Sequence, residues 1–100
     1  MIRNIHDIKI ERRYFNSIKE DRKTWELRYN DRDYHAGDYL LLREVEFGKY
    51  TGNMIIVMVM MIQFDYKDVL KDGWIIMSIE KVDDISVDSF LKFFTDNVVL

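Results

Sequence analysis

The chain has 100 residues, of which 48% are hydrophobic and 14% aromatic, with a net charge of −3 and neither proline nor cysteine. Such a chain forms one domain with a single core, has no disulfide or thiolate metal site, and does not coat nucleic acid through bulk charge. Its longest apolar run, residues 54–62, is shorter than the roughly 20 residues of a membrane helix. We expect a single cytoplasmic domain over residues 1–100, with no membrane partner.

The first third of the chain changes its apolar period twice. Residues 6–10 alternate polar and apolar side chains, which predicts a strand with Ile8 and Ile10 inward. In residues 11–21, Tyr14, Phe15 and Ile18 fall on one face of a predicted helix. Residues 23–29 again alternate, which predicts a second strand. One face of it holds Trp25, Leu27 and Tyr29, and the other holds Thr24, Glu26 and Arg28.

The remainder contains three further predicted strands. They are residues 38–46, residues 54–62 and residues 74–80. The second of these has no polar position, so a strand there is covered on both faces; its β-branched content favours a strand over a buried helix. We expect a polar turn at residues 30–37, a connection at residues 47–53 and a short helical turn at residues 65–73, closed by Gly73.

The last segment predicts an amphipathic helix over residues 87–96. Ser86 is a suitable N-cap, and Ile85 and Phe90 match a hydrophobic staple. The apolar residues of this segment recur at helical spacing: Val87, Phe90, Leu91 and Phe94. Five strands, an early helix and a late helix indicate a small α+β fold, and we expect its strands to form a curled sheet or barrel.

The histidines and nearby acids provide a test for a metal site. Asp31, Asp33 and His35 alternate, but calcium would need a glycine where Ala36 stands. Zinc could use His6 and His35 with a carboxylate, although nothing in their spacing requires them to meet. An Asp/Asn-rich turn, whose side chains bond their own backbone, explains the pattern. We expect neither a metal nor a cofactor.

The most informative segment is residues 22–32, because it combines a lysine, a glutamate and an arginine where the predicted helix meets a strand. The planar guanidinium of Arg28 suits a phosphate or a base edge, and Glu26 can accept from an exocyclic amine. The ordinary alternative is that Glu26 and Arg28 pair with each other, or with neighbouring strands, at the surface. Because both lie on one strand face, we expect them to be coupled, with Arg28 the more structural of the two.

Lys23-x-x-Glu26-x-Arg28 resembles the Gly-x-Lys-x-x-Glu-x-Arg motif of ASCH domains, in the PUA-like superfamily. Asp21 stands where that motif has glycine. The resemblance covers roughly residues 6–80 and is closest to a short, uncharacterised subgroup common in bacteria and phages. Its other matching segments are His6-x-Ile8-Lys9-Ile10, Tyr14-Phe15, Asn30-Asp31-Arg32, Gly37-Asp38-Tyr39-Leu40, Tyr50-Thr51-Gly52 and residues 73–79.

The resemblance implies a small PUA-like β-barrel with the early helix packed on it and the C-terminal helix outside the match. It implies a module that binds RNA, a nucleotide or a nucleoside in a cleft formed by Lys23, Glu26 and Arg28, to which we add Arg32. A related branch contains small amidohydrolases that act on acylated nucleosides. For that alternative the catalytic candidates are Lys23, Thr24 and Glu26, although Glu26 occupies the position of the branch's threonine nucleophile. A third alternative is an interaction protein with a phage or host protein as partner.

Overall fold

A computed structural model describes residues 4–64, 69–82 and 86–97, the last five of these by backbone alone. The elements in chain order are β1 (Ile5–Glu11), α1 (Arg12–Lys19), β2 (Trp25–Tyr29), β3 (Tyr39–Glu46), β4 (Lys49–Phe64), β5 (Trp74–Lys81) and α2 (Val87–Asn97). The strands form one sheet in the order β1-β3-β4-β5-β2, curled into a half-barrel with β1 and β2 at its edges. The predicted five-stranded α+β fold is confirmed, including a strand at residues 54–62.

The pairing of the strands explains the two faces of this sheet. β1 runs parallel to β3, and all other neighbours are antiparallel. The inner face holds the main core, and α1 covers it through Phe15 and Ile18. Ile8 and Ile10 point into this core as predicted, each 3% exposed. Tyr14, predicted on the same helix face, is instead exposed. The other buried members of the core are Tyr34, Leu40, Leu42, Val57, Val59, Ile75, Met77 and Ile79.

The predicted connection at residues 47–53 is wrong, because β4 already begins at Lys49. The turn consists of Phe47 and Gly48, both with positive φ (51° and 76°), as a type I′ hairpin requires. Gly52 also has positive φ, but it lies within β4, where the register against β3 shifts. The two glycines therefore mark a hairpin and a β-bulge rather than the ends of one loop.

Helix α2 packs on the outer face of the sheet, where Phe90 contacts Leu41 and Ile56. The Ser86 hydroxyl accepts a hydrogen bond from the Ser89 amide at 3.1 Å, which confirms the predicted N-cap. The staple at Ile85 and the side chain of Phe94 lie outside the described residues, as does the first part of the predicted helical turn at residues 65–73. Across the described ranges, neither helix is long and apolar enough to cross a membrane.

Candidate functional site: a cleft between two strand edges

Strand β2 presents its polar side chains to the inside of the half-barrel. Glu26 is 4% exposed, whereas Trp25, Leu27 and Tyr29 are 48%, 44% and 53% exposed. Across the ladder, Glu26 lies opposite the buried Met77, and Arg28 lies opposite the buried Ile75. Amphipathic strands normally place apolar residues against the core, so the orientation of β2 is inverted. Burying a carboxylate costs free energy unless charged donors satisfy it.

Two cations satisfy the Glu26 carboxylate, one on each oxygen. Lys23 Nζ lies 2.7 Å from Oε1, and Arg28 Nε lies 2.7 Å from Oε2. Lys23 is itself only 13% exposed at its side chain and lies between the rings of Tyr14 and Trp25, 4.6 and 4.8 Å from their centroids. The three charges sum to one positive charge, which is held in place by short, charge-assisted hydrogen bonds.

Two arginines bridge the edges of the sheet. Arg28 Nη2 donates to the Lys9 carbonyl at 2.7 Å, and Arg32 Nη1 donates to the Asp7 carbonyl at 2.9 Å. Both carbonyls belong to β1, so these guanidinium groups connect β1 to the β2 side of the half-barrel. The bonds use two of the five N–H donors of Arg28 and one of those of Arg32. The remaining donors can reach a ligand from groups whose positions are already fixed.

A cleft of about 660 Å³ lies beneath these arginines, between β1 and β2. Its wall includes Tyr34. Burial raises the pKa of the Tyr34 phenol and outweighs the positive charges of Arg28 and Arg32, which lower it. The phenol is therefore protonated near neutral pH and can donate a hydrogen bond. At the β4 wall, the guanidinium of Arg43 lies 3.9 Å from the centroid of the Tyr50 ring. The cleft thus offers hydrogen-bond donors and aromatic surface together.

A buried His6–Asp38 pair anchors the loop that carries Arg32 and Tyr34. His6 Nε2 lies 2.9 Å from Asp38 Oδ2, which also accepts from the His35 amide at 2.9 Å. The His6 ring packs edge-on against Tyr34, with 4.7 Å between centroids. Sequence reasoning missed this pair because its members are 32 residues apart. The available signal was His6 on the inward face of β1, together with the parallel pairing that places β3 beside it.

The structure does not bring His6 and His35, the candidate zinc ligands, together with a carboxylate. The His35 ring lies 3.8 Å from the exposed Asp33, and His35 meets Asp38 through its backbone, whose amide donates to Oδ2 and whose carbonyl accepts from the Asp38 amide at 3.0 Å. In the part of the chain that the structure describes, no group of three His, Asp or Glu side chains could hold a metal ion.

The predicted site residues occupy three different positions. Glu26, Arg28 and Arg32 line the cleft. Lys23 lies behind Glu26, as its hydrogen-bond partner. Thr24 is exposed and, with Lys23, lines a separate cavity of about 80 Å³ beside Ile79. The structure thus brings Glu26 and Arg28 together with Lys23 and places Thr24 apart from the cleft.

Comparison with known proteins gives a family match without a known activity. The family model described as a domain of unknown function (DUF3850) matches residues 5–79, which include the whole cleft and exclude α2. An uncharacterised 12.9 kDa protein in the GpA 3′ region of Escherichia phage P2 is 38% identical over 55 residues. That alignment covers 55% of this chain and 50% of the relative, so the chain matches about half the length of the phage protein.

Proposed function

The chain belongs to the DUF3850 family, and we propose that it binds RNA or a nucleotide in the cleft between β1 and β2. The observation that carries the proposal is the inverted orientation of β2. Turning Glu26 inward while leaving Trp25 and Leu27 exposed costs stability that the opposite orientation would not. A strand retained in this orientation is typical of a functional site, where local rules of folding are broken for binding. We propose further that the fold is PUA-like and that Lys23-x-x-Glu26-x-Arg28 is an ASCH-type motif.

The roles of the residues follow from their contacts. The free N–H groups of Arg28 and Arg32 are placed to bind a phosphate or a base edge. Glu26 already accepts from two cations, but its carboxylate has about four acceptor sites, so it can also receive a base amine. Lys23 neutralises Glu26 from behind.

The charges of the cleft wall predict that RNA binding depends only weakly on salt concentration. Lys9, Arg28 and Arg32 alternate with Asp7, Glu11, Glu26 and Asp31 in the same wall. Recognition therefore depends on directed hydrogen bonds rather than on a positive field. If one or two phosphates are bound, the logarithm of the association constant should fall by about 0.7 to 1.4 per decade of salt concentration.

Fluorescence anisotropy with 5′-labelled tetraribonucleotides tests the proposal. The probes are r(A)4, r(C)4, r(U)4 and r(GU)2, and the key variant is Arg32→Gln, because Arg32 is exposed and its loss does not leave a buried charge unpaired. We expect binding to weaken about tenfold or more in this variant. Arg22→Gln is the matched control: it removes one exposed positive charge that does not line the cleft. Absence of binding to every probe, or equal weakening in the two variants, would contradict the proposal.

The amidohydrolase alternative receives no support from the geometry. Its nucleophile candidate, Thr24, is outside the cleft, and the hydrogen bond of Lys23 goes to Glu26. Incubation with a panel of acylated nucleosides, followed by mass spectrometry, separates the two functions. Turnover that disappears in Lys23→Ala would favour the hydrolase over the binding module.

A further inference from the structure

A second cavity, of about 910 Å³, lies beside the cleft, between the loop at residues 30–36 and the far end of β4. Three large apolar side chains of β4 surround it and remain exposed: Met60 by 50%, Met61 by 53% and Phe64 by 69%. The register of β4 against β5 shifts between Val59 and Met61, and such a bulge re-aims the side chains of a strand. These residues therefore form a concave apolar surface outside the core.

This surface is continuous with the cleft. Tyr34 and Trp74 line both cavities. Tyr34 is fixed in place, since its amide donates to Asn30 Oδ1 at 2.9 Å and its ring packs against His6. A ligand bound by Arg28 and Arg32 can thus continue past a rigid aromatic wall into the second cavity.

The chemistry of the second cavity fits a nucleic-acid base rather than a phosphate. Its ionisable wall residues are Lys71, His35, Asp33 and Asp72, so a phosphate has no excess of positive charge to bind. Its apolar wall offers methionine, phenylalanine and tryptophan, on which a planar ring can stack. Asn30 and His35 supply polar groups for the edge of the base.

We propose that the second cavity is a base-binding subsite, so that the protein binds a short single strand of RNA rather than an isolated nucleotide. The inference rests on the function proposed above for the cleft. Stacking of one added base typically strengthens binding by about tenfold. A tetranucleotide should therefore bind about tenfold more tightly than the corresponding mononucleotide.

Methionine methyl NMR tests the subsite without altering the protein. Among the described methionines, Met60 and Met61 line the second cavity, whereas Met54 is exposed elsewhere and Met77 lies in the core. The probes are AMP, CMP, UMP and GMP, and the four tetranucleotides used above. We expect the tetranucleotides to shift the Met60 and Met61 methyl signals, the mononucleotides to leave them unchanged, and the Met54 signal to remain constant throughout.

A matched pair of variants completes the test. Phe64→Ala should abolish the added affinity of the tetranucleotide and leave mononucleotide binding unchanged, whereas Phe47→Ala, at an exposed hairpin position away from both cavities, should change neither. If both probe lengths bind equally and the Met60 and Met61 signals do not move, the subsite is wrong and the function of the cleft stands. If neither mononucleotide nor tetranucleotide binds, the proposed function fails, and the subsite with it.

Discussion

At the scale of single residues, Glu26 carries a buried charge, and its hydrogen-bond partners set the free-energy cost of burying it. Its side chain is 6% exposed and it accepts from both Lys23 and Arg28. A paired buried charge adds little net stability, but removing one partner leaves the other uncompensated. Arg28 also donates to the Lys9 carbonyl. For this reason we predict that Arg28 is the more structural residue of the pair that it forms with Glu26.

A double-mutant cycle measures this coupling. Glu26→Ala and Arg28→Ala should each lower the free energy of unfolding by about 1–3 kcal/mol, and the double variant should cost less than their sum. The exposed pair Arg22 and Glu20 provides the control cycle, in which the coupling should be near zero. Urea unfolding of both sets decides the matter, and additive, negligible effects in the first cycle would mean that the cleft has no preorganised polar centre.

Glu44 predicts a pH dependence of stability. Its carboxylate accepts from the Thr51 hydroxyl at 2.7 Å and from Asn53 Nδ2 at 3.1 Å, and these bonds, that of Thr51 foremost, hold the pKa of Glu44 below its ordinary value. Because the pKa is lower in the folded state, the stabilisation is complete above the unfolded pKa and is lost as the pH falls through the folded pKa.

Thr51→Val removes the main cause of that shift. The variant should lose less stability than the wild-type protein between about pH 5 and pH 3, while Thr51→Ser, which retains a hydroxyl, should follow the wild type. Thermal unfolding across this range is the measurement. Parallel curves for all three proteins would show that the Thr51 hydrogen bond does not set the pKa of Glu44.

At the scale of elements, the orientation of β2 is the feature on which the site depends. Two leucines allow a matched test of it, since Leu27 lies on the outer face and is 44% exposed, whereas Leu40 is completely buried inside. Leu40→Ala should cost about 2–5 kcal/mol, and Leu27→Ala about 1 kcal/mol or less. Equal losses in denaturant unfolding would indicate that β2 places its apolar face inward.

Alternating side chains in the sequence predicted most strands, but not which face of β2 is buried. By the usual rule, the apolar side of the pattern from Lys23 to Tyr29 faces the core. The structure has the opposite orientation, with Glu26 and Arg28 across from the buried Met77 and Ile75. Gly48 and Gly52 are not distinguished by the sequence pattern. Gly48 lies in the turn of a hairpin, whereas Gly52 lies in a bulge opposite Glu44. Local periodicity therefore predicts elements, while the inversion and the bulge depend on pairing between distant strands.

At the scale of the whole molecule, the cleft exists because the sheet is curled but not closed by a backbone ladder. Its edge strands β1 and β2 are instead joined by Arg28 and Arg32, which donate to carbonyls of β1. The motif that suggested the site lies at one edge, whereas the Lys9 carbonyl that accepts from Arg28 lies at the other. The sequence could therefore predict Lys23, Glu26 and Arg28 as a group, but not the bond from Arg28 to β1, nor the Asp38 anchor that immediately precedes β3.

Side-chain NMR during a titration with the tetraribonucleotides tests the central claim most directly, because it compares opposite faces of β2. Arg28 and Arg32 report on the cleft through their Nε–H signals, and Trp25, on the outer face, reports through its indole N–H. We predict that the RNA shifts both arginine signals and leaves the indole signal of Trp25 unchanged. A shift confined to Trp25, or no shift in any of the three, would contradict the assignment of this cleft as the binding site.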